Sequence, residues 1–170
     1  MLKGNNKNPT YQFGKIVLLL FLLNITTKLI MKKIIIYTDG SSLGNPGPGG
    51  YCAILKYGEV EKIIKGGEKN TTNNRMELLS VIEGLKSLIN PCDVTVISDS
   101  TYVVKGINEW LKNWQRKNFK DVKNPDLWQD YLNVARHHKV NCEWVKAHAG
   151  HEFNEMCDKI AKEEAEKFRA

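Results

Sequence analysis

Apolar and polar positions along this chain change period several times, and each change marks an element. Residues 33–38 are a run of β-formers and read as a buried strand. Residues 39–50, Asp-Gly-Ser-Ser-Leu-Gly-Asn-Pro-Gly-Pro-Gly-Gly, read as a turn, because glycine and proline dominate them. Residues 51–57 and 59–67 read as two further strands, with Gly58 in the hairpin between them. Over residues 73–89 the period becomes 3.6. Leu78, Val81, Ile82, Leu85, Leu88 and Ile89 then share one helical face, and Asn90-Pro91 ends the helix. A strand over 94–98 follows, then a helix over 100–111 with Val103, Ile107, Trp110 and Leu111 on one face. A helix over 126–138, a strand over 141–145 and a helix over 154–168 complete the chain. Three antiparallel-looking strands, then alternating helix and strand, predict an α/β fold: a five-stranded mixed sheet flanked by helices.

This pattern leaves four carboxylates in places where folding alone gives them little reason to be. Asp39 ends the first strand, Asp99 ends the strand over 94–98, Glu77 opens an apolar helix, and Asp158 borders the apolar stripe of the last helix. Each has a local explanation as well. Asp39-Gly40 is a strong turn pair. Glu77 completes a capping box with Asn74. Asp99 suits the N-cap of the next helix, and Asp158 suits a solvated helix face. Four separate explanations are needed at once, whereas one site explains all four. Sites in such sheets form outside the carboxyl ends of strands. Carboxylates gathered there raise one another's pKa or require a cation. Oxygen-only ligands favour magnesium, with manganese as substitute.

Charge and cysteine content narrow the classes. The net charge is +6, but residues 1–31 carry Lys3, Lys7, Lys15 and Lys28 and no acid, leaving 21 basic against 19 acidic residues. The informative excess is local. Lys105, Lys112, Arg116, Lys117, Lys120 and Lys123 face only Glu109 and Asp121, and Trp110, Trp114 and Phe119 are interleaved with them. Such a segment suits phosphate contact, although tryptophans packed inward behind a solvated face explain it too. Cysteines at 52, 92, 142 and 157 have no C-x-x-C spacing, which argues against zinc and fits a reducing compartment. The apolar run over 16–23 is too short to span a bilayer as a helix. It has the basic flank of a secretory signal but no small-x-small cleavage site. Residues 1–30 are therefore read as a non-essential extension, either an over-called start codon or a weak hydrophobic anchor. Residues 31–170 are read as the functional domain.

His148 and His151 lie in Lys146-Ala147-His148-Ala149-Gly150-His151, a loop of small residues where either histidine suits a proton carrier beside a metal site, although a plain surface-loop histidine explains each as well. Gly44, Gly47, Gly49 and Gly50 match neither G-x-G-x-x-G nor a G-K-[ST] loop, so backbone geometry is their expected role. A dehalogenase-type phosphatase needs an aspartate two residues before Asp39, where Tyr37 stands.

Four ordered motifs point further. They are Tyr37-Thr38-Asp39-Gly40-Ser41 with Gly44-Asn45-Pro46-Gly47; Thr72-Asn73-Asn74-Arg75-Met76-Glu77-Leu78; Ser98-Asp99-Ser100 with Tyr102-Val103; and Trp144-Val145-Lys146-Ala147-His148-Ala149-Gly150-His151 with Asn154-Glu155 and Cys157-Asp158. Together they resemble the bacterial-type ribonuclease H family, ribonuclease HI, over residues 31–168. The resemblance implies an RNase H-like catalytic domain that hydrolyses the RNA strand of RNA–DNA hybrids by a two-metal-ion mechanism, leaving 5′-phosphate and 3′-hydroxyl ends. It implies that Asp39, Glu77, Asp99 and Asp158 hold two magnesium ions and that His148 is the catalytic histidine. It further implies that Asn45, Asn73 and Asn74 contact the hybrid, and that the basic segment, with Lys112, Trp114, Lys117 and Lys120, is a substrate-binding handle. A cytoplasmic monomer needing no protein partner fits this reading. Two positions depart from the family pattern. Thr101 stands where glutamine is common, and the handle is short, running quickly from Phe119 to Asn124-Pro125.

Overall fold

The computed structural model describes residues 13–19 and 31–169. Of the N-terminal extension it includes only a helical stretch over 13–19; the rest of the expectation for residues 1–30 lies outside the described residues. The chain divides into two units, residues 1–31 and 32–170. Among the described residues no helix is long and apolar enough to cross a membrane.

Residues 32–169 form five strands and their helices. The strands are β1 (Lys32–Ser42), β2 (Gly47–Tyr57), β3 (Val60–Thr71), β4 (Cys92–Ser98) and β5 (Lys139–Trp144). The helices are α1 (Asn73–Lys86), α2 (Thr101–Lys105), α3 (Leu111–Arg116), α4 (Pro125–Ala135) and α5 (Glu152–Glu166), with a π-helical turn at Gly106–Trp110 between α2 and α3. The sheet order is β3-β2-β1-β4-β5. β1–β3 form an antiparallel meander, while β4 joins β1, and β5 joins β4, in parallel. The mixed five-stranded sheet expected from the alternation of elements is therefore present.

Strand periodicity distributes the core over both faces. Ile34, Ile36, Ala53, Leu55, Val94 and Val96 pack with Leu78, Val81, Ile82 and Leu85 of α1 and with Leu127, Trp128 and Tyr131 of α4. Cys52 and Ile54 point the other way, against Cys157 and Ala161 of α5, with Tyr37, Phe153 and Ile160 at the margin.

Several boundaries differ from expectation, each for a physical reason. The stretch 39–50 is mostly strand: β1 continues to Ser42 and β2 begins at Gly47, leaving only residues 43–46 as the bend, closed by Leu43 N donating to Pro48 O at 2.7 Å. Its glycines serve close backbone approach more than turning. β3 likewise continues past residue 67 to Thr71. The helix over 73–89 stops at Lys86, so Ile89 is almost fully exposed rather than part of the apolar face. The helix expected over 100–111 runs on to Arg116 through the π turn, where the Trp128 ring lies against Gly106. α4 begins at Pro125, a favoured first-turn proline, and ends at Ala135 rather than 138. β5 starts two residues early at Lys139, and α5 spans Glu152–Glu166 rather than 154–168.

Candidate active site

The sheet opens where β1 loses one neighbour. Pairing with β2 continues to Ser42, opposite Gly49, but parallel pairing with β4 ends at Tyr37, opposite Ile97. Asp39 lies just past that point, buried, opposite Cys52 and therefore on the α5 side of the sheet. Its Oδ1 accepts from Gly40 N at 2.7 Å. Gly40 faces the opposite side, where a Cβ would stand 2.1 Å from Glu77 N and 2.2 Å from Met76 C. Only glycine lets the first turns of α1 come this close.

That approach delivers Glu77. Its Oε1 accepts from Asn73 Nδ2 at 2.8 Å and its Oε2 from Ser100 Oγ at 2.5 Å. The capping-box alternative fails, because the N-cap is Thr72 and Asn74 lies inside the helix. The N-cap alternative for Asp99 fails as well. Ser100 caps α2, accepting from Val103 N at 3.3 Å, which leaves the Asp99 carboxylate half-buried without a capping role. Asp158, half-buried on α5, pairs with Lys162 Nζ at 2.7 Å, so the solvated-charge explanation keeps some force there.

The carboxylates act on one another. Burial, reinforced by the charge of Asp99, raises the Asp39 pKa from 3.8 to about 8 against the Gly40 hydrogen bond; Asp158 and Glu77 push the same way. Glu77 rises from 4.5 to about 7, chiefly through burial and also through Asp99, opposed by the hydrogen bonds from Ser100 and Asn73. Convergence stops short of a closed cage: among the described residues no three acidic, histidine or cysteine side chains are arranged to hold a metal ion. The donors nonetheless suit a hard cation. All are oxygens, burial disfavours the charged forms of Asp39 and Glu77, and beside them the buried Asn154 Oδ1 has no hydrogen-bond partner.

Asn45 is exposed in the bend after β1, and Asn73 and Asn74 open α1, Asn73 already holding Glu77. Thr101 is exposed at the start of α2. His148 is exposed in the loop between β5 and α5, at φ 51. That loop hangs from the Asp99 turn, since Trp144 Nε1 donates to Asp99 O at 3.0 Å and Val145 N to Ser98 O at 3.1 Å. Gly150 N then donates to Glu155 Oε1 at 2.9 Å.

In the basic segment Lys112, Lys117 and Lys120 are exposed. Trp114 is placed differently. It is partly buried against the core, with its ring centroid 5.5 Å from Trp110 and 5.1 Å from Trp128. Behind the handle Tyr102 Oη accepts from Trp128 Nε1 at 2.8 Å and Asn124 Nδ2 at 3.1 Å, and donates to Lys123 O at 3.1 Å. Arg75 forks onto both oxygens of Asp126 at 3.0 and 2.7 Å, tying α1 to α4.

Two site residues went unassigned in the sequence. Ser100 holds Glu77, and Asn154 Nδ2 donates to Asp99 Oδ2 at 3.2 Å. Their signals were present, one beside Asp99 and the other one helical turn before Asp158.

Comparison with known proteins places this arrangement. The RNase H family model matches residues 31–166. A ribonuclease H of Sulfurovum sp. (strain NBC37-1) is 59% identical over 143 residues, covering 84% of this chain and 97% of that protein. A ribonuclease HI of Helicobacter pylori (strain ATCC 700392 / 26695) is 58% identical over 137 residues, covering 81% and 96%. Among solved structures, that of LC9-RNase H1, a type 1 RNase H with the type 2 active-site motif, aligns with a TM-score of 0.74 at 31% identity, covering 81% of this chain and 74% of that one. This chain belongs to the ribonuclease H family of nucleases.

Proposed function

We propose that the protein hydrolyses the RNA strand of RNA–DNA hybrids, with Asp39, Glu77, Asp99 and Asp158 holding two divalent cations, and leaves 5′-phosphate and 3′-hydroxyl ends. The observation that carries this reading is that buried Asp39 stands where β1 outruns β4, close enough to Asp99, Asp158 and Glu77 that all three, with burial, push its pKa up. A site built this way lacks positive charge, and divalent cations supply it. When bound, such ions activate a water nucleophile and stabilise the leaving 3′-oxygen.

The chain's own groups do the rest. Asp39, on the central strand, would be one of the carboxylates that hold the cations. Glu77, held by Asn73 and Ser100, arrives with its rotamer fixed. His148, in its exposed loop, moves a proton at an imidazole nitrogen near the reacting phosphate. Asn45, Asn73 and Asn74 line the approach on one side and read the minor groove, where 2′-hydroxyls distinguish RNA from DNA. Lys112, Lys117 and Lys120 grip the DNA backbone as point charges. In this reading Thr101 offers a shorter contact than a glutamine would. The four buried, unpaired thiols accord with a reducing cytoplasm, and the site needs no second subunit.

The test is incubation with labelled RNA–DNA hybrid, duplex RNA and duplex DNA, each with magnesium and with chelator. Cleavage confined to the RNA of the hybrid, and only with magnesium, is expected. Equal cleavage of duplex DNA, or cleavage in chelator, overturns the reading.

A further inference from the structure

Helix α5 carries Asn154 one turn before Asp158, on the same face. Asn154 is only 2% exposed. Amides so deeply buried normally have their hydrogen bonds satisfied, yet Asn154 is satisfied on one side only. Nδ2 reaches Asp99 Oδ2 at 3.2 Å, whereas Oδ1 has no partner. Among the described residues no other group donates to the Asp99 carboxylate.

Two contacts fix this reach. Cys157 Sγ donates to Tyr37 O at 3.3 Å, pinning α5 to β1 two residues before Asp39. At Gly50 a Cβ would lie 2.3 Å from Ala161 O, so glycine there lets the helix backbone seat against β2. The amide orientation is set as well, because the flipped form would oppose two acceptors, Asn154 Oδ1 and Asp99 Oδ2. A carboxylate at 154 has no proton to donate at neutral pH and adds a fifth negative charge. An apolar residue leaves Asp99 unheld.

We propose that Asn154 is a positioning residue for the cation site: its Nδ2 fixes the Asp99 carboxylate that would hold the cation. The inference rests on the divalent-cation reading above. Outer-shell partners of this kind typically set metal affinity by about 10–100-fold.

The experiment is a magnesium titration of the full chain followed by thermal melting, for the wild type, Asn154→Ala and Asn154→Ser. The KM for hybrid is measured at saturating magnesium. Both substitutions remove reach to Asp99, and the serine variant serves if the alanine variant fails to fold. The half-saturating magnesium concentration is expected to rise roughly ten-fold or more, with the hybrid KM within about two-fold of wild type. A role in packing alone lowers the melting temperature without moving the magnesium midpoint. If the wild type responds to magnesium and a folded variant responds at the same midpoint, the assignment of Asn154 falls while the cation reading stands. If the wild type shows no magnesium response, the cation reading fails and takes the inference with it.

Discussion

Asp39 and Glu77 should each contribute less to the stability of the metal-free protein as the pH rises. Their folded pKa values of about 8 and about 7 lie above the ordinary 3.8 and 4.5. Between about pH 4 and 8 these two groups therefore bind more protons in the folded state than in the unfolded one, and their contribution to stability falls with increasing pH across that window. Melting in chelator should show this slope, and excess magnesium should flatten it. Asp39→Asn keeps the acceptor for Gly40 N and removes the charge. It should raise the metal-free melting temperature at pH 8 by roughly 3–8 °C, equivalent to about 1–2 kcal/mol. An unchanged or lowered melting temperature would count against mutual repulsion in the cluster. His148→Ala, in an exposed loop, should leave stability and hybrid KM nearly unchanged while lowering kcat on the order of 10²-fold in steady-state assays. The carboxylates were legible at this scale because a charge at a strand end or on a core-facing helix needs an explanation. Ser100 and Asn154 were not, because a serine before a helix and an asparagine near a helix start are ordinary capping residues. Their bonds to Glu77 and Asp99 exist only once α1, α2 and α5 are seated.

Between elements, glycines decide the fit. Helix periodicity announced α1 and α5, and runs of β-formers announced β1 and β4. The glycine-rich run after Asp39 reads as a turn by composition, because a periodicity argument does not register a residue present for its missing side chain. Gly40→Ala tests this. A Cβ there meets the backbone of Met76 and Glu77, not the end of a flexible side chain, so α1 has to retreat. A loss of roughly 1–3 kcal/mol in denaturant melts is expected, with activity falling further than stability because Glu77 moves with the helix. The handle makes the opposite case. Its lysines and the Trp110–Trp114 pair were legible, but the packing of Trp114 on Trp128 joins two separate helices, which the local pattern does not connect. Replacing Lys117 and Lys120 with alanine should raise the hybrid KM several-fold, leave kcat nearly unchanged and reduce the salt dependence of binding by roughly 1–2 in log–log slope. A drop in kcat alone would move these residues out of the binding role.

For the whole molecule, the order of elements carried most of the topology. A three-strand meander followed by two helix-connected strands leaves few arrangements, and the parallel addition of β4 beside β1 brings Asp39 and Asp99 to the same end of the sheet. What the order did not disclose is that β1 outruns β4, which creates the opening. Residues 1–31 form a unit of their own and the family match begins at residue 31. A chain of residues 31–170 should thus retain hybrid cleavage within about two-fold and melt within a few degrees of the full chain; loss of either would give the extension a role. The central claim, that the four carboxylates work as one cation-dependent centre on hybrid, is tested most directly by hybrid cleavage with Asp39→Asn at saturating magnesium, its fold verified by circular dichroism. The predicted result is native folding with no cleavage above background; a folded variant that still cleaves the RNA strand at a rate near wild type would contradict it.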